Sequence, residues 1–161
     1  MRMRAQDGGT TELSTLDLPA LSDDERTYLE VMLALVVTGD MFHGRFVETH
    51  VARLIGADVP DVGISPWDLW VASEPPITVE VKATRHGGEF SLSGKSSQVW
   101  VFVTYPNKKD HHFGYVVASA AEVAALQQAQ MRQAKLFEKL GPAVPADRLA
   151  AAVREKAAIT G

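Results

Sequence analysis

Asp68, Glu80 and Lys82 are the residues of this sequence best suited to do chemistry. Two carboxylates and one ammonium converging at one end of a sheet make a site for a hard divalent cation with a second positive charge beside it. Such cations take carboxylate and carbonyl oxygens, and Mg²⁺ in particular uses one or two carboxylates together with waters and a substrate phosphate. An ion held there lowers the pKa of a bound water and neutralises charge at a phosphate. A lysine alongside orients the attacking water and stabilises charge developing on the phosphoryl group.

The elements that must position these groups lie in the stretch from Ser65 to Ala83, SPWDLWVASEPPITVEVKA. Trp67, Leu69 and Val71 alternate with Asp68 and Trp70, a period of two that predicts a strand. Ser73-Glu74-Pro75-Pro76 breaks the ladder, since neither proline has an N–H to donate. Ile77, Thr78, Val79 and Val81 are all β-branched, which suits a second strand running to Lys82. On it Glu80 and Lys82 share one face, and Val79 and Val81 the other. Upstream, a helix capped by Asp40 is predicted to run to about Ile55 and stop at Gly56, with Phe46, Val47, Val51, Leu54 and Ile55 as its apolar stripe. Glu48 lies on the side of Gly44, Val51 and Ile55, where a carboxylate is costly unless paired or bound.

A helix glutamate, a strand aspartate and a following Glu80-Val81-Lys82 together resemble the PD-(D/E)XK phosphodiesterase superfamily, the restriction-endonuclease-like fold. The acid-any-lysine motif is intact, whereas in the first motif Trp67 separates Pro66 from Asp68. A literal Pro60-Asp61 also occurs, but Asp61 sits before Gly63 as a turn residue. Asp68 lies in a strand pattern that leads through the turn to Glu80, and is preferred. The resemblance implies an α/β restriction-endonuclease-like core, a central mixed sheet of about four to five strands flanked by helices. It also implies Mg²⁺, with Mn²⁺ as a substitute, held by Asp68, Glu80 and the Val81 carbonyl, and Glu48 reaching the metal directly or through water. Glu48, Asp68, Glu80 and Lys82 would then be the catalytic set of a metal-dependent endonuclease. Its expected substrate is nucleic acid, DNA first, as in restriction or DNA repair and recombination, and its product carries a 5′-phosphate. Arg85, His86, Lys95 and Gln98, which follow the motif, are the expected nucleic-acid contacts. The resembled fold has a substantial helix after the acid-any-lysine strand, yet here only the glycine- and serine-rich Arg85 to Gln98 is available. The rival expectation keeps the fold without catalysis, as a nucleic-acid-binding or assembly subunit that docks its partner on the Ser119–Leu140 segment. A domain that binds only protein is a third.

Composition sets the remaining bounds. A chain of 161 residues, 46% apolar and 22% charged, is ordinary for one globular domain with its own core. It has no cysteine, which excludes disulfide scaffolds and zinc–thiolate centres. His111-His112 lacks a third ligand at suitable spacing, so zinc is not expected there. Neither a G-x-S-x-G elbow nor a Walker-type glycine loop occurs. The longest apolar run, Val31 to Val37, is too short to cross a bilayer, and the first residues lack a signal-peptide segment, so a cytoplasmic protein without membrane contact is expected. Net charge is −4, divided as 14 acidic and 5 basic side chains in residues 1–81 against 6 and 11 in residues 82–161. Positive charge thus collects downstream of the motif, where phosphates would need it.

The expected organisation is a mobile arm over residues 1–20, a nuclease-like domain over 21–140 and a helical extension over 141–161. Ser22-Asp23-Asp24-Glu25 reads as a capping box opening a helix that ends near Thr38-Gly39. Val99 to Val103 reads as a strand buried on both faces, and Tyr115-Val116-Val117 as another. Ser119 to Glu122 is a second capping box, predicted to open a long helix to about Leu140 that Gly141-Pro142 ends. An alanine-rich final helix from about Asp147 carries Leu149, Val153 and Ala157. Cutting both strands of a duplex takes two active sites, so a homodimer is an expected assembly.

Overall fold

The computed structural model describes residues 43–60, 67–84, 87–93, 96–105 and 112–160, with Ser22, Arg26, Leu29 and Ser65. The arm over 1–20, most of the helix expected over 22–38, and Asp40, Asp61, Arg85, His86, Lys95 and His111 lie outside the described residues.

The first described helix, α1, spans His43–Ile55 and ends at Gly56, whose φ of 66° is the left-handed conformation that glycine adopts at no steric cost. Val47, Val51 and Ile55 recur on one face and are buried, while Phe46 is exposed. The strands β1 (Leu69–Val71), β2 (Ile77–Thr84), β4 (Val99–Thr104) and β5 (Gly114–Ser119) form the central sheet, in the order β1-β2-β4-β5. The sheet is mixed: β2 and β4 run parallel, and the two outer pairs are antiparallel. Asp58 extends it past β1 by a single bridge, exchanging bonds with Trp70 at 2.8 and 3.0 Å.

Alternation along these strands divides the core in two. Leu69, Val79, Val81, Val99, Val101, Val103 and Val117 face α1 and the last helix, α4 (Leu149–Thr160), in one cluster. Trp100, Phe102, Val116 and Ala118 point the other way into a second cluster. Both faces of β4 are therefore covered, which is why its sequence is apolar without alternation. Each fully buried Val or Leu in these clusters contributes roughly 1.5–3 kcal/mol relative to exposure. Leu149 and Val153 of α4 are among them, so the C-terminal helix is part of the principal core.

The cover over the second face departs from expectation. The predicted long helix from Ser119 to Leu140 is three elements: α2 (Ala120–Ala125), β6 (Gln130–Arg132) and α3 (Gln133–Leu140). Gln127 turns the chain with a φ of 51°. β6 then pairs antiparallel with β3 (Glu89–Ser91), setting Met131 opposite Phe90 in the second cluster. Alanine, glutamine and methionine all favour helix, and the paired, buried ladder overrides that preference. β3 occupies the crossover between β2 and β4, where the resembled fold carries a helix. The capping box is present as read: the Ser119 hydroxyl accepts from the Glu122 N–H at 3.2 Å, and the Glu122 carboxylate accepts from the Ser119 N–H at 2.7 Å. Burial raises the Glu122 carboxyl, but Lys156 at 2.6 Å and the Ser119 bonds outweigh it and hold the group below its ordinary value. No helix among the described residues is long and apolar enough to cross a membrane.

Candidate functional site

The antiparallel register sets Leu69 opposite Val79 and Trp70 opposite Thr78, and Asp68, just before β1, leaves that register by donating its N–H to the Val79 carbonyl at 3.2 Å. β1 is only three residues long, so its ladder stops short of Val81. The Asp68 side chain takes over there: Oδ2 accepts the Val81 N–H at 2.9 Å. The N–H and C=O of one strand residue point to the same side, so the Val81 carbonyl also faces this edge. Asp68 and the Val81 carbonyl are thereby held together by the hydrogen bond that extends the sheet.

Glu80 is fully buried on the face of the second cluster. Lys82, two residues along the same face, brings Nζ to 2.5 Å from Glu80 Oε1 and to 5.7 Å from the centre of the Trp100 ring. Trp100 is the register partner of Glu80 on β4. The lysine stem thus lies over apolar surface while its ammonium compensates a carboxylate that no water reaches. A buried carboxylate without compensation is among the costliest groups a fold can hold.

The other residues singled out from the sequence are placed differently. Glu48 stands on α1, on the Val79–Val81 side of the sheet, and its Oε2 lies 3.3 Å from Nη1 of Arg45. Arg45 also donates to the Pro60 carbonyl at 2.8 Å. Gln98 precedes β4, and its side-chain oxygen accepts the Thr78 N–H at 3.0 Å, two residues along β2 from Glu80. The Gln98 N–H in turn donates to the Thr78 hydroxyl at 3.1 Å. Gln98 therefore ties the start of β4 to β2. Arg85, His86 and Lys95 lie outside the described residues.

Three features of the site were not singled out from the sequence. Trp70, on β1 opposite Thr78 and two residues after Asp68, is exposed. Trp100 reads in the sequence as one member of an apolar strand, and only the parallel register brings it under Lys82. Across the sheet, His50 Nε2 and the Tyr115 hydroxyl share a buried hydrogen bond of 2.6 Å, beside Phe113. Helical spacing from Val47 and Val51 puts His50 near the buried face, a signal that was available.

Asp68, Glu80 and the Val81 carbonyl offer oxygen donors only, the type that hard cations take. Among the described residues no three of His, Cys, Asp and Glu gather as a group that could hold a metal ion, Glu48, Asp68 and Glu80 included. No family model matches the sequence, and no curated protein sequence does either.

Proposed function

We propose that the chain is a Mg²⁺-dependent phosphodiesterase acting on nucleic acid, with DNA as its first expected substrate. The observation that carries this reading is the joint placement of Asp68, Glu80 and Lys82: the Asp68 carboxylate is bonded to the Val81 N–H, and the residues on either side of Val81 are the ion-paired Glu80 and Lys82. Asp68, Glu80 and the Val81 carbonyl would hold the ion, which would supply a more acidic bound water and charge neutralisation at the scissile phosphate. Lys82 has the reach to hold a water or a phosphate oxygen at the same edge, and its positive charge favours the phosphorane-like transition state over the ground state. Glu48, on the α1 side of the sheet and 3.3 Å from Arg45, stands apart from this ion-binding set. The element order, with a helix before the aspartate strand and the glutamate–lysine strand next to it, supports the likeness to restriction-endonuclease-like enzymes.

A second reading, a nuclease-type fold that binds nucleic acid without cutting it, is favoured by the complete burial of Glu80 beneath Lys82. An ion can bind Glu80 only if the ammonium yields. One experiment separates the two. Supercoiled and linear DNA are incubated with the purified chain under Mg²⁺ or Mn²⁺, alongside Asp68→Ala and Lys82→Ala variants shown to be folded. Metal-dependent nicking that both variants lose supports the enzyme. Binding with no cleavage under either ion supports the scaffold, and no binding at low salt removes both.

A further inference from the structure

An open groove of about 510 Å³ lies on the second-cluster side of the sheet, between the segment before β4 and α2. Leu92, Trp100 and Val123 give it an apolar floor, and Ser93, Gln127 and Gln128 a neutral polar rim. Ser97 also lines it and is itself buried, and its hydroxyl makes no hydrogen bond among the described residues. An unmade bond on a buried hydroxyl costs free energy that folding must offset elsewhere. Trp100 has the Lys82 ammonium against its ring and also walls the groove, so one side chain separates the Asp68–Glu80–Lys82 cluster from this space.

We propose that the groove is a nucleobase subsite: it takes one unstacked base of the strand whose phosphate lies at Asp68, Glu80 and Lys82. The proposal rests on the phosphodiesterase reading for the neighbouring phosphate, but its chemistry is separate. Among the described residues the lining carries no charged side chain, which suits a neutral ligand better than a second phosphate. A nucleobase has two apolar faces and an edge of donors and acceptors, matching an apolar floor with hydroxyl and amide groups around it. The volume falls in the range of small-molecule pockets. Rotation of the Ser97 hydroxyl about χ1 turns its unused bonding capacity toward the base edge. Gln127 and Gln128 supply donors and acceptors of both kinds, which permits several bases in place of one.

The test uses the whole 161-residue chain in EDTA, so that nothing is cleaved. Affinity is measured for a short thymidine homopolymer and for an abasic backbone of the same length and charge. A base contributes roughly five- to hundredfold when it stacks and bonds, so the abasic strand should bind weaker by that factor. In Ser97→Ala the ratio should shrink by roughly three- to tenfold, with abasic binding unchanged. The same variant should unfold at no lower temperature than the parent, because it removes a hydroxyl with no hydrogen-bond partner among the described residues. Equal affinity for the two strands overturns the subsite while leaving the phosphodiesterase reading intact. A full ratio retained in Ser97→Ala also overturns it. Base-dependent binding by a chain that never cleaves under Mg²⁺ or Mn²⁺ upholds the subsite and removes the phosphodiesterase reading instead.

Discussion

Replacing Lys82 by methionine keeps the stem over Trp100 and removes only the charge beside Glu80. At 2.5 Å and an effective dielectric of about 20, the gross attraction in this pair is roughly 6–7 kcal/mol. Desolvation cancels much of that, and breaking a fully buried pair costs about 3–5 kcal/mol in practice. The Lys82 side chain is 24% exposed and Glu80 is not exposed at all, so about 2–4 kcal/mol is expected here. For a chain of this size that is a fall in melting temperature of roughly 5–15 °C. The unequal exposure also predicts an asymmetry. Glu80→Gln leaves an ammonium that can reach water, and should cost clearly less than Lys82→Met, which strands a carboxylate. The double variant should recover most of the loss. If Glu80 also holds Mg²⁺, the ion at a hundredfold excess over its dissociation constant adds about 2.7 kcal/mol, more readily in Lys82→Met, where no ammonium competes. Thermal or urea unfolding of the four proteins, with and without Mg²⁺, decides the matter. A Lys82→Met protein as stable as the parent, or a Glu80→Gln protein that is the weaker of the two, refutes the argument.

Other expectations follow from groups away from the site. The Glu122 carboxyl has a lowered folded-state pKa, so its stabilisation is present above the ordinary glutamate value and disappears as pH falls through the folded one. The stability gap between the parent and Glu122→Gln, on the order of 1 kcal/mol or less after solvent screening, should therefore close in acid, and unfolding measured across pH reads it. Tyr115→Phe removes the hydroxyl bonded to His50 and should cost about 1–3 kcal/mol in urea unfolding, with cleavage unchanged. Leu149→Ala cuts a fully buried side chain from the principal core and should cost about 2–5 kcal/mol. An unaffected Leu149→Ala protein would mean that α4 is dispensable to the core.

What could be read from the sequence was whatever neighbouring residues encode together. The β2 run Ile77 to Lys82, the unbroken apolar run of β4, the stop at Gly56 and the reciprocal cap at Ser119 and Glu122 all depend on residues within a few positions. The β3–β6 ribbon was not legible, because Glu89-Phe90-Ser91 and Gln130-Met131-Arg132 each show one apolar residue between polar ones. Neither is a strand until the other lies beside it, and Gln130 to Arg132 by itself prefers helix. In the candidate site, the shared face of Glu80 and Lys82 followed from alternation alone, whereas Asp68 lies just before the strand expected to carry it. The Trp100 wall and the Gln98–Thr78 tie did not follow from alternation, because they are set by a parallel register between strands that a crossover joins. For α4 the spacing of Leu149, Val153 and Ala157 gave the residues that meet the core, but not the sheet they meet, which distant residues supply.

The bond from the Val81 N–H to Asp68 makes that backbone amide a built-in reporter on the carboxylate. Its proton should exchange slowly with solvent deuterium for as long as the side chain at position 68 offers an oxygen. Asp68→Asn keeps an acceptor and discards the charge, so protection at Val81 should persist while any affinity for a divalent ion drops. Asp68→Ala discards both, and fraying should spread from Val81 along the open margin of β2. Exchange at one amide can therefore tell an edge that has come apart from an edge that has merely lost its charge.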